Sequence, residues 1–130
     1  NTVTIQGALT ATTVATATAS STASSVGFLG IPQNSQSTTY TLALADEGKH
    51  VYMTNGGNIV VPDNTSVAFP VGTVISIVTG NSAININTVS DTLVLGGSGS
   101  TGNRTLSSYG MASVMKVAST TWYISGAGVN

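Results

Sequence analysis

Residues 74–87 read VISIVTGNSAININ, and this stretch decides the fold class. In its first half Ile75 and Ile77 alternate with polar or smaller residues, and in its second half Ile84 and Ile86 alternate with asparagine. Successive side chains of a strand point to opposite faces of a sheet, so each half is predicted to be a strand with one buried face. The intervening TGNS favours a tight turn, and we expect a β-hairpin there.

Short, turn-bounded runs of the same kind continue over most of the chain. Thr, Val, Ile and Tyr dominate them, which favours strands, and the helical spacing of apolar residues is missing from the sequence. A second hairpin is predicted at TNGGN (residues 54–58), because Asn-Gly and Gly-Gly reach positive φ at low cost. A third is predicted around Ser119–Thr120. The predicted strands lie near residues 2–6, 12–18, 39–44, 50–54, 58–61, 74–78, 83–87, 92–95, 113–118 and 121–125.

Strands this short and this closely spaced predict an all-β protein, either an antiparallel β-sandwich or a jelly-roll-like barrel. Alternation also assigns faces near the end of the chain. Trp122 is expected in the core with Tyr123 on the opposite face. Met115 and Val117 share a face, with Lys116 opposite them.

The chain divides into two parts by composition. Residues 30–130 are predicted to be the compact β domain, and residues 1–29 an extended, Thr-rich β segment and linker that serves assembly. An isolated two-stranded ribbon is only marginally stable in water, so this segment must pair with another part of the chain or with another chain. Its predicted assembly contacts are Val3, Ile5, Leu9 and Val14.

Charge and cysteine content exclude several kinds of function. The chain has three Lys or Arg and four Asp or Glu, with a formal net charge of −1. Binding to a nucleic-acid backbone needs clustered cations, so no nucleic-acid partner is expected. An apolar run of about 20 residues is lacking, so no membrane span is expected. The absence of cysteine removes disulfides and thiolate chemistry.

The titratable residues give no catalytic pattern. The acids are Asp46, Glu47, Asp63 and Asp91, and His50 is the single histidine. One histidine with scattered acids does not make a metal-ligand set, and the sequence lacks a nucleophile-elbow motif. We therefore expect a protein that is not an enzyme and that uses no cofactor and no metal.

Four residues are candidates for surface recognition or modification. Tyr109 and Tyr123 are candidate glycan-facing residues, since exposed aromatic rings stack on sugars, although Tyr123 suits a subunit contact equally well. Asn64 and Asn103 begin Asn-x-Ser/Thr patterns in predicted loops, and they are candidate N-glycosylation sites.

Four blocks of sequence carry a resemblance to a known family. They are LALADEGK at 42–49, VPDNTSVAFPVGTVISI at 61–77, YGMASVMKV at 109–117 and TWYISG at 121–126. Together they resemble a small β domain that recurs in bacteriophage virion proteins, especially at the ends of tail-fibre-like and head-fibre-like proteins. The resemblance spans residues 40–128, implies a non-enzymatic virion surface protein that is commonly a homotrimer, and brings no catalytic residue.

Two functions remain open from the sequence. The first is a phage fibre or decoration protein, a homo-oligomer on the virion surface that contacts other virion proteins or host surface glycans. The second is a subunit of an extracellular filament, in which residues 2–18 add a strand to the sheet of the next protomer and build a head-to-tail fibre.

The assembly role of the N-terminal segment gives a direct test. We expect a chain that lacks residues 1–20 to remain folded but to become monomeric, because the unpaired β segment would be lost. Size-exclusion chromatography with light scattering measures this. A truncated chain that keeps its oligomeric state would place the assembly contact elsewhere.

Overall fold

The computed structural model of the protein describes residues 30–130, which hold nine β-strands, one short 3₁₀ helix and no α-helix. The assembly contacts predicted at Val3, Ile5, Leu9 and Val14 lie outside these described residues. The strands are β1 (Gln33–Gln36), β2 (Tyr40–Thr41), β3 (His50–Met53), β4 (Asn58–Val61), β5 (Val74–Thr79), β6 (Ile84–Thr88), β7 (Thr92–Leu95), β8 (Arg104–Ala118) and β9 (Thr121–Val129), and the 3₁₀ helix is Leu44–Asp46.

Successive strands from β1 to β6 alternate between two parallel rows. β1, β3 and β5 pair side by side in one row, where Gln33 pairs with His50 and His50 with Ser76. β2, β4 and β6 pair in the same way in the other row. Each coil of the chain therefore adds one strand to each row, which is the connectivity of a short β-solenoid.

Strand β8 joins the two rows. Its first residues, Arg104–Leu106, pair antiparallel with β6, and residues 111–115 pair antiparallel with β5. β9 returns antiparallel along β8, and β7 pairs parallel with β9. The nine strands thus form one mixed sheet that nearly closes into a barrel.

The all-β prediction is confirmed, but most strand pairings are parallel, which corrects the antiparallel arrangement. The sandwich and jelly-roll topologies are not confirmed. The hairpin around Ser119–Thr120 is confirmed between β8 and β9. The two hairpins predicted at TNGGN and TGNS are wrong, because β3 does not pair with β4, nor β5 with β6. Gly56 and Gly57 do take positive φ, but their turn carries the chain from one row to the other.

One hydrophobic core lies between the rows. The isoleucines that alternate in β5 and β6 are buried, as predicted, and so is Trp122. Phe69 packs its ring edge-on against Trp122, with 5.4 Å between the ring centroids. The core residues are Leu42, Val51, Met53, Ile59, Val61, Phe69, Ile75, Ile77, Ile84, Ile86, Leu93, Leu106, Ala112, Val114, Trp122 and Ile124.

At the β1–β2 end, this core is closed by a layer of hydrogen-bonded polar side chains. The buried Asp46 carboxylate accepts hydrogen bonds from the Asn34 amide (2.8 Å) and from the Tyr40 hydroxyl (2.9 Å). The Gln36 amide in turn donates to Asn34. Burial, and then the hydrogen bond to Asp46, raise the pKa of Tyr40 above its ordinary value. The solenoid therefore ends at this layer, where buried polar groups are paired.

The turn of β8 from one row to the other is held by a single side chain. The Thr79 hydroxyl donates to the carbonyl oxygen of Ser107 (2.6 Å) and accepts from the backbone N–H of Gly110 (2.8 Å). The pairing of β8 with β9 shifts register between Leu106 and Met111, which marks a bulge at the same place. A Cβ on the buried Gly110 would lie 2.7 Å from the Ser107 carbonyl oxygen, so this close approach requires glycine.

Replacing the Thr79 hydroxyl should therefore weaken the whole fold. Thr79→Val keeps the shape of the side chain but leaves the buried N–H of Gly110 and the part-buried carbonyl of Ser107 without this partner. We expect a loss of about 1–3 kcal/mol in the free energy of unfolding. Urea unfolding followed by circular dichroism measures it. The matched control Thr92→Val, at an exposed strand position, should change stability little, and equal effects of the two variants would contradict the anchoring role.

Candidate functional site

The outer face of β5, β8 and β9 exposes a set of large apolar side chains. Val74, Met115 and Tyr123 are in register across the three strands and are all exposed. Met111, which is 61% exposed, and Val117 lie on the same face of β8. We call these five residues the apolar face.

This face is uncharged as well as apolar. Between its apolar rows runs a row of serines, Ser76, Ser113 and Ser125, and the Ser76 and Ser113 hydroxyls are 3.2 Å apart. The outward positions of these strand segments, all within the described residues, carry no charged side chain. Methionine side chains adapt to irregular surfaces. The face is therefore suited to contact with another uncharged protein surface.

The sequence pattern predicted a half-buried strand with Met115 and Val117 on one face and Lys116 opposite, which implies that the apolar pair is buried, and this is wrong. In the structure Lys116 is 1% exposed, and Met115 and Val117 face outward. The reason is that Lys116 finds partners inside the fold, which a sequence pattern does not show. The alternation rule therefore located the face but not its exposure.

The outer face of the other row is polar. The Asn58 side-chain oxygen accepts a hydrogen bond from the backbone N–H of Asn85 (3.3 Å). The Asn85 side-chain oxygen accepts one from the Thr105 hydroxyl (3.1 Å). Amides and hydroxyls thus form a ladder across β4, β6 and β8, so the two outer faces of the solenoid differ in chemistry.

Tyr109 lies at the turn of β8 and is 80% exposed. Its φ is 58°, in the left-handed region that bulky residues rarely adopt. Its backbone N–H donates to the Gly80 carbonyl oxygen (2.7 Å), which helps to hold this conformation. Tyr123 pairs beside Met115, about 20 Å further along β8, so the two candidate glycan-facing tyrosines do not form one subsite.

The two candidate glycosylation sites differ in accessibility. Asn103 is exposed, and its side-chain oxygen accepts from the backbone N–H of Thr88 (3.1 Å). Asn64 is half-buried, and its side-chain oxygen accepts from the Lys116 amine (2.6 Å). Glycosylation of either residue stays a prediction.

A buried polar cluster surrounds Lys116. The Lys116 amine lies 5.6 Å from the centroid of the Trp122 ring, besides its hydrogen bond to Asn64. Asp91, which is 5% exposed, accepts from the Trp122 indole N–H and from the Asn64 backbone N–H, both at 3.3 Å. The sequence placed Asp91 only among scattered acids and did not indicate this cluster, because its members come from distant parts of the chain.

The remaining titratable residues are spread over the molecule. Glu47 accepts from the Thr73 hydroxyl (3.0 Å) in an open cleft of about 430 Å³. Asp63 closes its own turn, and hydrogen bonds from Thr65 and Ser66 lower its pKa. His50 contacts the side chain of Gln33 on the outer face.

Within residues 30–130, these groups do not converge. That part of the chain holds no group of three or more His, Cys, Asp or Glu placed to bind a metal ion. It also holds no helix of the length and apolarity that crossing a membrane requires. Comparison of the chain with known protein families, curated proteins and solved structures gives no match.

The positive φ of Tyr109 can be tested by comparing the stabilities of two variants at this position. At this positive φ we expect Tyr109→Gly to be more stable than Tyr109→Ala by about 1 kcal/mol, because a Cβ is disfavoured there. In an ordinary strand the order is reversed. The control pair Ser113→Gly and Ser113→Ala, at an extended position of the same strand, should show that reversed order in thermal unfolding. The same order at both positions would mean that Tyr109 is not strained.

Proposed function

We propose that this chain is a non-enzymatic structural protein of a phage virion surface, a fibre or decoration protein that associates with copies of itself through the apolar face. The observation that supports this most directly is the set of exposed, uncharged side chains on β5, β8 and β9. Large exposed apolar patches on a protein mark sites of interaction with other molecules.

The physical chemistry of the face favours a second copy as its partner. Burial of apolar surface contributes about 25 cal/mol per Å². Two copies of an uncharged face do not repel each other, and the formal net charge of −1 keeps long-range repulsion between chains small. The serine row supplies hydroxyls that can bond to one another across such a contact, since each is both donor and acceptor.

The resemblance of residues 40–128 to phage fibre domains supports the virion location and a trimer. In this arrangement three apolar faces pack around one axis, and the polar ladder of β4, β6 and β8 faces the solvent. Tyr109 lies at the turn between the faces and stays exposed, so its ring is the candidate contact for host surface glycans.

A second candidate is the extracellular filament joined by strand complementation, and the edge strands β1 and β2 favour it. Within residues 30–130, β1 and β2 stand at the two ends of the strand order, and each pairs there with a neighbour on one side only. An unpaired edge can accept an incoming strand from another protomer. Residues 2–18, which this hypothesis adds to the sheet of the next protomer, precede β1 in the chain.

Introducing positive charge on the apolar face tests the first proposal. We expect Met115→Lys together with Tyr123→Lys to give a folded monomer, because like charges would face each other across the contact. The control Thr105→Lys places a single positive charge on the polar face of β8 and should keep the oligomer. Light scattering after size-exclusion chromatography measures both, and circular dichroism checks the fold.

Two outcomes would contradict this assignment. An oligomer that survives the double substitution would show that the apolar face is not the contact. Long uniform filaments in negative-stain images, lost when residues 1–20 are removed, would favour strand complementation instead.

A further inference from the structure

The contacts of Lys116 are unusual for a buried lysine. Within residues 30–130 its amine contacts an amide oxygen and an aromatic ring rather than a carboxylate. A buried ammonium group with such partners retains much of its desolvation cost. An arrangement that removed the charge would therefore be favourable.

We propose that Lys116 and Asn64 form a covalent isopeptide bond within the chain. The Lys116 Nζ lies 2.6 Å from Asn64 Oδ1. Because a C=O bond is about 1.23 Å long, the nitrogen is within about 4 Å of Asn64 Cγ, the carbon that it would attack. The two groups are thus already in contact before any reaction.

The reaction is balanced without an oxidant or any other reactant. In its unprotonated form, the Lys116 amine attacks Asn64 Cγ with its lone pair. A bond forms between Nζ and Cγ, and the bond between Cγ and Nδ2 breaks. A proton of the amine passes to the departing nitrogen, which leaves as ammonia. The products are a secondary amide and one molecule of ammonia.

The surroundings of the pair favour this reaction over an ordinary hydrogen bond. Trp122 and Phe69 are buried and pack against each other next to Lys116, so the amine is shielded from water. Groups held in reactive contact gain effective molarities of about 10⁵–10⁸ M over the same groups free in solution. Amide formation between a lysine and an asparagine is slow in solution, and this gain is what the fold supplies.

Asp91 is the positioning residue. Its two carboxylate oxygens accept from the Asn64 backbone N–H and from the Trp122 indole N–H. One contact fixes the loop that carries Asn64, and the other fixes the ring beside the Lys116 amine. Asp91 therefore fixes both the backbone of Asn64 and the aromatic ring that contacts Lys116.

The bond would supply a covalent link that this chain cannot obtain from cysteine. It would join residues 52 positions apart, and β5, β6 and β7 lie within the loop that it closes. It would also compete with glycosylation of Asn64, because the side-chain nitrogen is lost as ammonia. A link of this kind slows unfolding and does not respond to reducing agents.

The intact mass of the full chain under denaturing conditions tests the proposal. We expect a mass lower than that of the sequence by one ammonia, and a proteolytic fragment in which the peptides that hold Asn64 and Lys116 are joined. The unaltered sequence mass, with both peptides free, would overturn the proposal without the need for any variant.

Variants separate this bond from other losses of ammonia. An Asn-Gly step such as Asn55-Gly56 also releases ammonia when it cyclises. Lys116→Arg is the matched control, because it removes the attacking amine and should restore the full sequence mass. A loss of ammonia that persists in this variant would overturn the proposal. Asn64→Asp should lose one water instead of one ammonia. Asp91→Asn should lower the linked fraction while circular dichroism stays unchanged, and an unchanged linked fraction would overturn the role of Asp91.

Discussion

The fold depends on the double pairing of β8. Six strands stacked in two parallel rows leave the last coil with two open edges, one on β5 and one on β6. β8 covers both, because it bends at residues 107–110 and continues with its buried side toward the same core. That bend needs a glycine at position 110, a bulge and the Thr79 hydroxyl, so a few backbone contacts close the whole structure.

The two ends of the solenoid are closed in different ways, and its two outer faces differ in chemistry. At the β8 end the edges are covered by long antiparallel strands, whereas at the β1 end a layer of polar side chains around Asp46 closes the core. One outer face is apolar and the other carries an amide ladder. A body with this asymmetry can bind a partner on one side and remain hydrated on the other.

The sequence predicted the parts of the fold that depend on neighbouring residues. Alternation placed Ile75 and Ile77 correctly, and the Gly-Gly turn reached positive φ as expected. Partners across space were not predictable, since a corner between rows and a hairpin use the same turn residues. β1, with the sequence QNSQ, has no apolar residue to mark it. The burial of Lys116 depends on Asn64, 52 residues away, and so no local pattern shows it.

In the two alternating rows, the number of coils is independent of the strand that closes the stack. Each strand of a row pairs only with the strands next to it, and β8 pairs with the two rows only through β5 and β6 of the last coil. Coils can therefore be added or removed at the middle of the stack while the cap and the polar end remain unchanged. The number of coils is therefore a property that duplication can change without altering the strands that close the stack.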